Sequence, residues 1–213
     1  MSIHSDDNQG KPPGALTTGG ANDWAAVPVQ SGRYIRGTRI TNNGNTGAFV
    51  INKVEADLSA RTFLVTGVTS CWVRRDQSGF IADILVTKPG HPHPREADLP
   101  QIPADQWPSY EGQPQKPWKD TRYLYLADPQ TAEEFTLVLN TWRGCAGVGE
   151  LANAVINMRI AHPGAFPIVS ITTEPAADRF GIKPKPKFVI IEWKLPASKS
   201  LNGTGNGSAE GAS

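Results

Sequence analysis

The chain is poor in several residue types that mark specialised proteins. It has only two cysteines in 213 residues, Cys71 and Cys145, each among small or apolar neighbours. Two cysteines make no disulfide framework, so a reduced, cytoplasmic setting is expected. No apolar run approaches the length of a membrane-crossing helix, and no membrane partner is expected. The opening residues MSIHSDDNQGKPPGALTTGG have neither a basic start nor an apolar stretch, which argues against a secretory signal. Charge of one sign is also lacking. Lys plus Arg number 21 and Asp plus Glu 20, for a formal net charge of +1. Whole-molecule attraction to nucleic acid or to an acidic surface is therefore not implied, and such binding requires a local patch.

Glycine, proline and small polar residues are plentiful at the two ends. Residues 1–25 and 197–213 are rich in Gly, Ser, Thr, Asn and Asp. Such segments bury too little apolar surface to offset the entropy of ordering, and both are expected to be disordered tails. The folded part is then a single β-rich domain over 26–196. Its strand signals are RYIRGTRIT (33–41), TFLVTGVTSCWVRR (62–75), FIADILVT (80–87), RYLYLAD (122–128), EEFTLVLNTWR (133–143), FPIVSITT (166–173) and KFVIIEWKL (187–195). They are rich in β-branched and aromatic residues. DQSG and DPQTA separate two consecutive pairs as hairpin turns. Gly67 within the long strand invites a bulge.

One stretch has helical periodicity. Val148, Leu151, Ala152, Val155 and Met158 form one stripe, with Glu150, Asn153 and Asn157 opposite. His162-Pro163-Gly164 stops it. The glycines 144, 147 and 149 ahead of this stripe raise the question of a phosphate loop. A P-loop needs a lysine followed by Ser or Thr, and GCAGVGEL has neither. The dinucleotide fingerprint is G-x-G-x-x-G, whereas the spacing here is G-x-x-G-x-G. Glu150, read as lying in the helix's first turn, also disfavours an anion there. The glycines are read as a tight turn and a close helix–sheet contact, and no cofactor is implied.

Residues 88–120 form a long loop with eight prolines, plus Trp107 and Trp118. It either wraps the surface, pinned by the tryptophans, or serves as a contact for a protein partner. Within it His91, His93, Glu96 and Asp98 raise the question of a metal. Pro92 and Pro94 favour polyproline geometry, in which histidines at i and i+2 diverge, and no third ligand is evident, so no metal is assigned. No nucleophile–base pair stands out, so no catalytic residue is assigned and enzymatic activity is left open.

Cations and aromatics interleave at four places: Arg33, Arg36 and Arg39; Trp72 with Arg74 and Arg75; Trp142 with Arg143; and Lys183, Lys185 and Lys187. On a β-domain this combination suits single-stranded nucleic acid, whose bases stack while its phosphates track a positive groove. The alternative is that lysines and prolines guard strand edges and the tryptophans are core. The expected fold is mainly β with one helix, an antiparallel barrel of the OB type, with a β-sandwich carrying one helix as the alternative. The leading function is non-catalytic binding of single-stranded nucleic acid, with single-stranded DNA as a candidate partner. A structural or protein-interaction role and an enzyme with an unrecognised site are the other two.

Across KPWKDTRYLYLADPQTAEEFTLVLNTW and GVGELANAVINMRIAHPGAFPIVSITTEPAADRFGIKPKPKFVIIEW, the chain resembles bacteriophage and prophage proteins of proteobacteria. The carrying features are the Pro-Trp start, the Gly-Val-Gly helix, the His-Pro-Gly link, the Phe-Gly-x-Lys turn and the terminal Trp. The resemblance implies a phage-type setting and no particular site residue.

The helical stripe generates one test. Leu151→Ala is expected to cost about 2–5 kcal/mol, the usual range for a buried leucine. Asn153→Ala should be neutral or slightly stabilising, since alanine is the better helix former. Thermal or denaturant unfolding of the two variants checks this, and equal losses would mean that the stripe is misassigned.

Overall fold

A computed structural model describes residues 26–27, 34–88, 90–178 and 181–195. The expected tails at 1–25 and 197–213, and Arg33, lie outside the described residues. The strands are β1 (Ala26–Val27), β2 (Thr38–Asn42), β3 (Phe49–Ile51), β4 (Val54–Ala56), β5 (Thr62–Arg75), β6 (Ile81–Val86), β7 (Ser109–Tyr110), β8 (Gln113–Pro114), β9 (Trp118–Ala127), β10 (Glu134–Leu139), β11 (Phe166–Asp178) and β12 (Gly181–Lys194), with one helix, α1 (Trp142–Ala161). Ten strands form one sheet, ordered β1-β6-β5-β9-β10-β2-β3-β4, and β11 joins β5 and carries β12. The remaining two, β7 and β8, form a small separate ribbon.

The fold is therefore mainly β with one helix, as expected, in a curled, open half-barrel. The antiparallel barrel of the OB type is corrected. β2 runs parallel to β10, with Thr38–Thr41 beside Phe135–Val138. The two are far apart in sequence, and no hairpin constrains their direction. The sandwich alternative also falls, since all the long strands belong to one sheet.

Local chemistry explains the turns. At 76–79, the Asp76 carboxylate accepts the Phe80 N–H at 2.9 Å, and Gly79 takes φ +81°. At 128–132, Asp128 accepts the N–H groups of Gln130 and Thr131 at 2.9 and 3.0 Å. The Asp128 carboxylate mimics a backbone turn, and that of Asp76 closes its turn across four residues. The bulge invited by Gly67 is present, as the β5–β9 register skips between Val65 and Gly67. Pairing with β10 requires glycine at 37. Gly37 has φ +59°, and a Cβ there would lie 1.8 Å from the Glu134 carbonyl oxygen.

Strand alternation divides the sheet into two faces. One buries Ile40, Phe63, Leu124, Phe135, Leu137 and Val169 in the main core, where Val148 and Leu151 of α1 also pack. The other buries Cys71, Val73, Ile84, Tyr123, Tyr125 and Val138, with Tyr34 and Ile35 against them.

Several boundaries differ from the sequence reading. β10 ends at Leu139, so Trp142 and Arg143 are helical. The helix begins six residues before Val148, with Thr141 as its cap; the Thr141 hydroxyl accepts the Gly144 N–H at 3.1 Å. Gly144, Gly147 and Gly149 are thus inside the helix, and Glu150 is not in its first turn. The last two strands are longer than expected, and they pair antiparallel from Phe166 with Lys194 to Asp178 with Gly181. The predicted stripe holds at Val148 and Leu151, and Asn153 is exposed.

The helical glycines are not equivalent. A Cβ at Gly147 would lie 2.6 Å from the Pro186 carbonyl oxygen, whereas one at Gly149 would meet nothing within 4 Å. Gly149→Ala should stabilise the fold by about 0.5–1 kcal/mol through helix propensity. Gly147→Ala should destabilise it by about 1–3 kcal/mol, because α1 must lift off β12. Unfolding curves check the opposite signs, and two stabilised variants would contradict this packing.

Candidate nucleic-acid interface

The Pro-rich segment wraps the sheet, pinned by Trp72 of β5 and Trp118 of β9, while Trp107 bonds within the segment. The Trp72 indole N–H donates to the Pro94 carbonyl at 3.0 Å, that of Trp107 to Ile102 at 2.9 Å, and that of Trp118 to Pro100 at 3.0 Å. Trp72 and Trp118 are buried with Leu85 and Leu99. An indole suits this work, supplying a large apolar surface and one donor for a carbonyl with no strand partner. Trp72 is 9% exposed, with one face stacked on His93 at 5.5 Å and 9°.

The residues considered for a metal have other partners. Thr87 Oγ1 is 2.6 Å from His93 Nδ1, and His93 Nε2 is 3.1 Å from Asp120. Arg122 pairs with both oxygens of the same carboxylate. Arg95 holds Asp98 at 2.9 Å, its hydrogen bond drawing the carboxyl below its ordinary pKa. Lys116 holds Glu96 at 2.8 Å, and His91 is exposed. Among the described residues, no three such side chains gather as a metal site. Both thiols are suppressed as nucleophiles, because burial pushes Cys71 and Cys145 up to about 12.

The structure separates the basic residues into groups with different surroundings. Arg74 is ion-paired to Asp83 beneath the β5–β6 hairpin, and Arg75 donates to the Gly79 carbonyl. Both brace the turn. Lys183, Lys185 and Lys187 share one side of β12 but are engaged. Lys183 donates to Asn45 at 3.1 Å, Lys185 to Glu150 at 2.6 Å, and Lys187 pairs with Glu174 at 2.7 Å. The Lys187 hydrogen bond lowers the Glu174 pKa, and the Glu150 hydrogen bond raises that of Lys185.

Arg36 and Arg39 are exposed on the face opposite the main core. The Arg36 guanidinium lies 4.1 Å over the Tyr125 ring. Its backbone N–H donates to Thr136 Oγ1 at 2.7 Å, and that hydroxyl donates back to the Arg36 carbonyl at 2.8 Å. Arg39 sits beside Thr136 in the parallel register. It shares an open pocket of about 330 Å³ with Thr41, Val50, Asn52 and Lys53. Lys53 was not singled out from the sequence. It lies in the two-residue turn between β3 and β4, where Asn52 and Lys53 take φ of 50° and 68°. A lysine there adopts a backbone conformation that glycine reaches more cheaply. The signal in the sequence was FVI and VEA flanking Asn-Lys. Glu55 pairs with Val50, and Glu134 lies two residues before Thr136, so carboxylates flank this patch.

Trp142, also in the predicted set, is exposed as well. It is 71% exposed on the first turn of α1, while Arg143 beside it is half-buried. Its neighbour Thr141 packs against Gly44, in the loop that follows β2. β2 therefore leads from Arg39 to the loop beside this tryptophan. No protein-family model, curated protein or solved structure matches this chain.

The engaged lysines generate a pH test. A carboxyl held below its ordinary pKa stabilises the fold above the unfolded value, and this contribution is lost as pH falls through the folded value. Glu174→Gln should therefore melt below wild type at pH 7, and the gap should close below about pH 4, the unfolded carboxylate range. A gap independent of pH would show that Glu174 acts through packing alone.

Proposed function

We propose that the protein binds single-stranded nucleic acid without catalysis, through Arg36, Arg39 and Lys53, with Trp142 as a stacking platform, in a phage-type setting. The observation carrying this reading is the convergence of Arg39 and Lys53 on an open pocket with no carboxylate lining, beside an arginine stacked on tyrosine. Guanidinium and ammonium groups meet phosphates without reading sequence. A guanidinium laid on an aromatic ring also presents its outer plane to a base. A largely exposed tryptophan supplies the sequence-tolerant stacking of such binders. The β12 lysines and the Trp72–Arg74–Arg75 group are left out of this surface, because each has a partner within the fold.

A protein-contact role is the second reading. It is favoured by a groove of about 650 Å³ between the wrapped loop and β9, lined by Ile102, Trp107 and Trp118 together with Arg95, Glu96 and Lys116.

Fluorescence anisotropy with labelled oligo-dT at two salt concentrations separates the readings. Binding should weaken steeply with salt. Arg39→Ala and Lys53→Ala should each flatten the log–log salt slope by about 0.7, one phosphate contact each. Trp142→Ala should lose about 1–3 kcal/mol of binding while the fold survives. Lys185→Ala should leave the slope unchanged. Absence of binding at low salt by folded protein would overturn the proposal.

A further inference from the structure

β5 is the longest shared strand, and its pairing is interrupted on one side. Towards β9 it pairs from Leu64 to Arg74, apart from the bulge. On the other side β6 covers Cys71–Arg75, and the Thr87 N–H donates to the Ser70 carbonyl at 2.9 Å. β11 covers only Thr62, Phe63 and Leu64. Among the described residues no strand pairs with the five positions Val65–Thr69 on that side. Pro167 directly precedes Ile168, the first β11 residue to pair with β5, and proline has no N–H with which to extend that ladder. β6 and β11 both run antiparallel to β5, so the interval is a missing length of strand between two strands that point the same way.

The interval opens onto a groove of about 350 Å³ between β5 and α1. Its walls include Val65, Val68, Leu151, Val155 and Ile156, and Arg159 is its one charged lining residue. Val68 is 44% exposed and Ile156 61%. Arg159 stands at the β11 end, where its Nε–H donates to the Ala165 carbonyl at 2.9 Å and its guanidinium lies 5.2 Å from the Phe166 ring centroid.

We propose that this interval is a strand-addition site for an extended peptide segment of a partner protein. The segment is about five residues long, roughly 17 Å at the rise of a strand. It runs antiparallel to β5, from the end of β6 towards β11, places apolar side chains under α1 at alternate positions, and ends in a carboxylate at Arg159. Main-chain hydrogen bonds supply the affinity of such additions, and alternate side chains supply the specificity. The apolar walls call for the alternation, and the single arginine at the β11 end sets the charge and the direction.

The test uses the full chain and a fluorescein-labelled pentapeptide, valine and threonine in alternation with a C-terminal aspartate. Amide hydrogen exchange at 65–69 should be fast in the free protein relative to the paired amides of β9, and should slow when the peptide is added. Anisotropy should show saturable binding. Affinity should fall at least tenfold when the peptide backbone is N-methylated, and also in Ile156→Glu and Arg159→Glu. Protection of 65–69 in the free protein would overturn the proposal, because the edge would already be paired. Equal binding of the N-methylated peptide would overturn it as well, since the groove would then be read by side chains alone. Concentration-dependent dimerisation abolished by Val68→Lys would replace the partner peptide with a second copy of the chain.

Discussion

The pairing of β5 with β9 is the constraint on which the rest depends. β5 is 14 residues long, and only its ends are shared with other strands on the second side. β9 in turn carries β10, and β10 carries β2 and the short strands beyond it. Both cores lie across this one ladder. Leu124 and Leu126 point into the main core, and Tyr123 and Tyr125 into the opposite one. The bulge at Thr66 bends the strand where its second neighbour changes, because an extra residue locally increases twist.

The proposed binding surface is a consequence of the same ladder at one remove. β10 accepts β2 in parallel, and this places Arg39 beside Thr136 of β10 and Arg36 over Tyr125 of β9. The arrangement requires a glycine at 37, because the backbone of Glu134 occupies the space of any side chain. It also places Lys53 on a left-handed turn beside Arg39. Two unusual backbone positions thus support one group of cations. The β12 lysines are as numerous, but Glu150 and Glu174 hold Lys185 and Lys187. Basic residues close in sequence differ in what they offer to a ligand, and the carboxylates opposite them decide it.

Local chemistry was legible in the sequence. The hairpins at Asp76 and Asp128, the bulge at Gly67 and the stripe from Val148 to Leu151 rest on short-range rules, and the structure contains each. What was hidden is non-local or depends on an unexpected partner. The parallel approach of β2 to β10 joins segments about a hundred residues apart, and alternation carries no direction. The first turns of α1 were concealed because Gly144, Gly147 and Gly149 read as a loop. Position 147 requires glycine inside the helix because β12 lies too close for a side chain. Trp72 reads equally well as a stacking platform or as core. Its burial follows from the Pro94 carbonyl that its indole meets, and no pattern announces that contact. Lys53 was overlooked because strands of three residues are too short to show alternation.

Hydrogen–deuterium exchange of the full chain, with and without saturating oligo-dT, tests the nucleic-acid reading most directly, because it maps contact without choosing residues in advance. The account predicts slowed exchange at 36–41, at 50–54 and at the first turn of α1, with 183–187 and the 72–80 hairpin unchanged. Slowing confined to β12 or to the wrapped loop, with 36–41 and 50–54 unaffected, would contradict it.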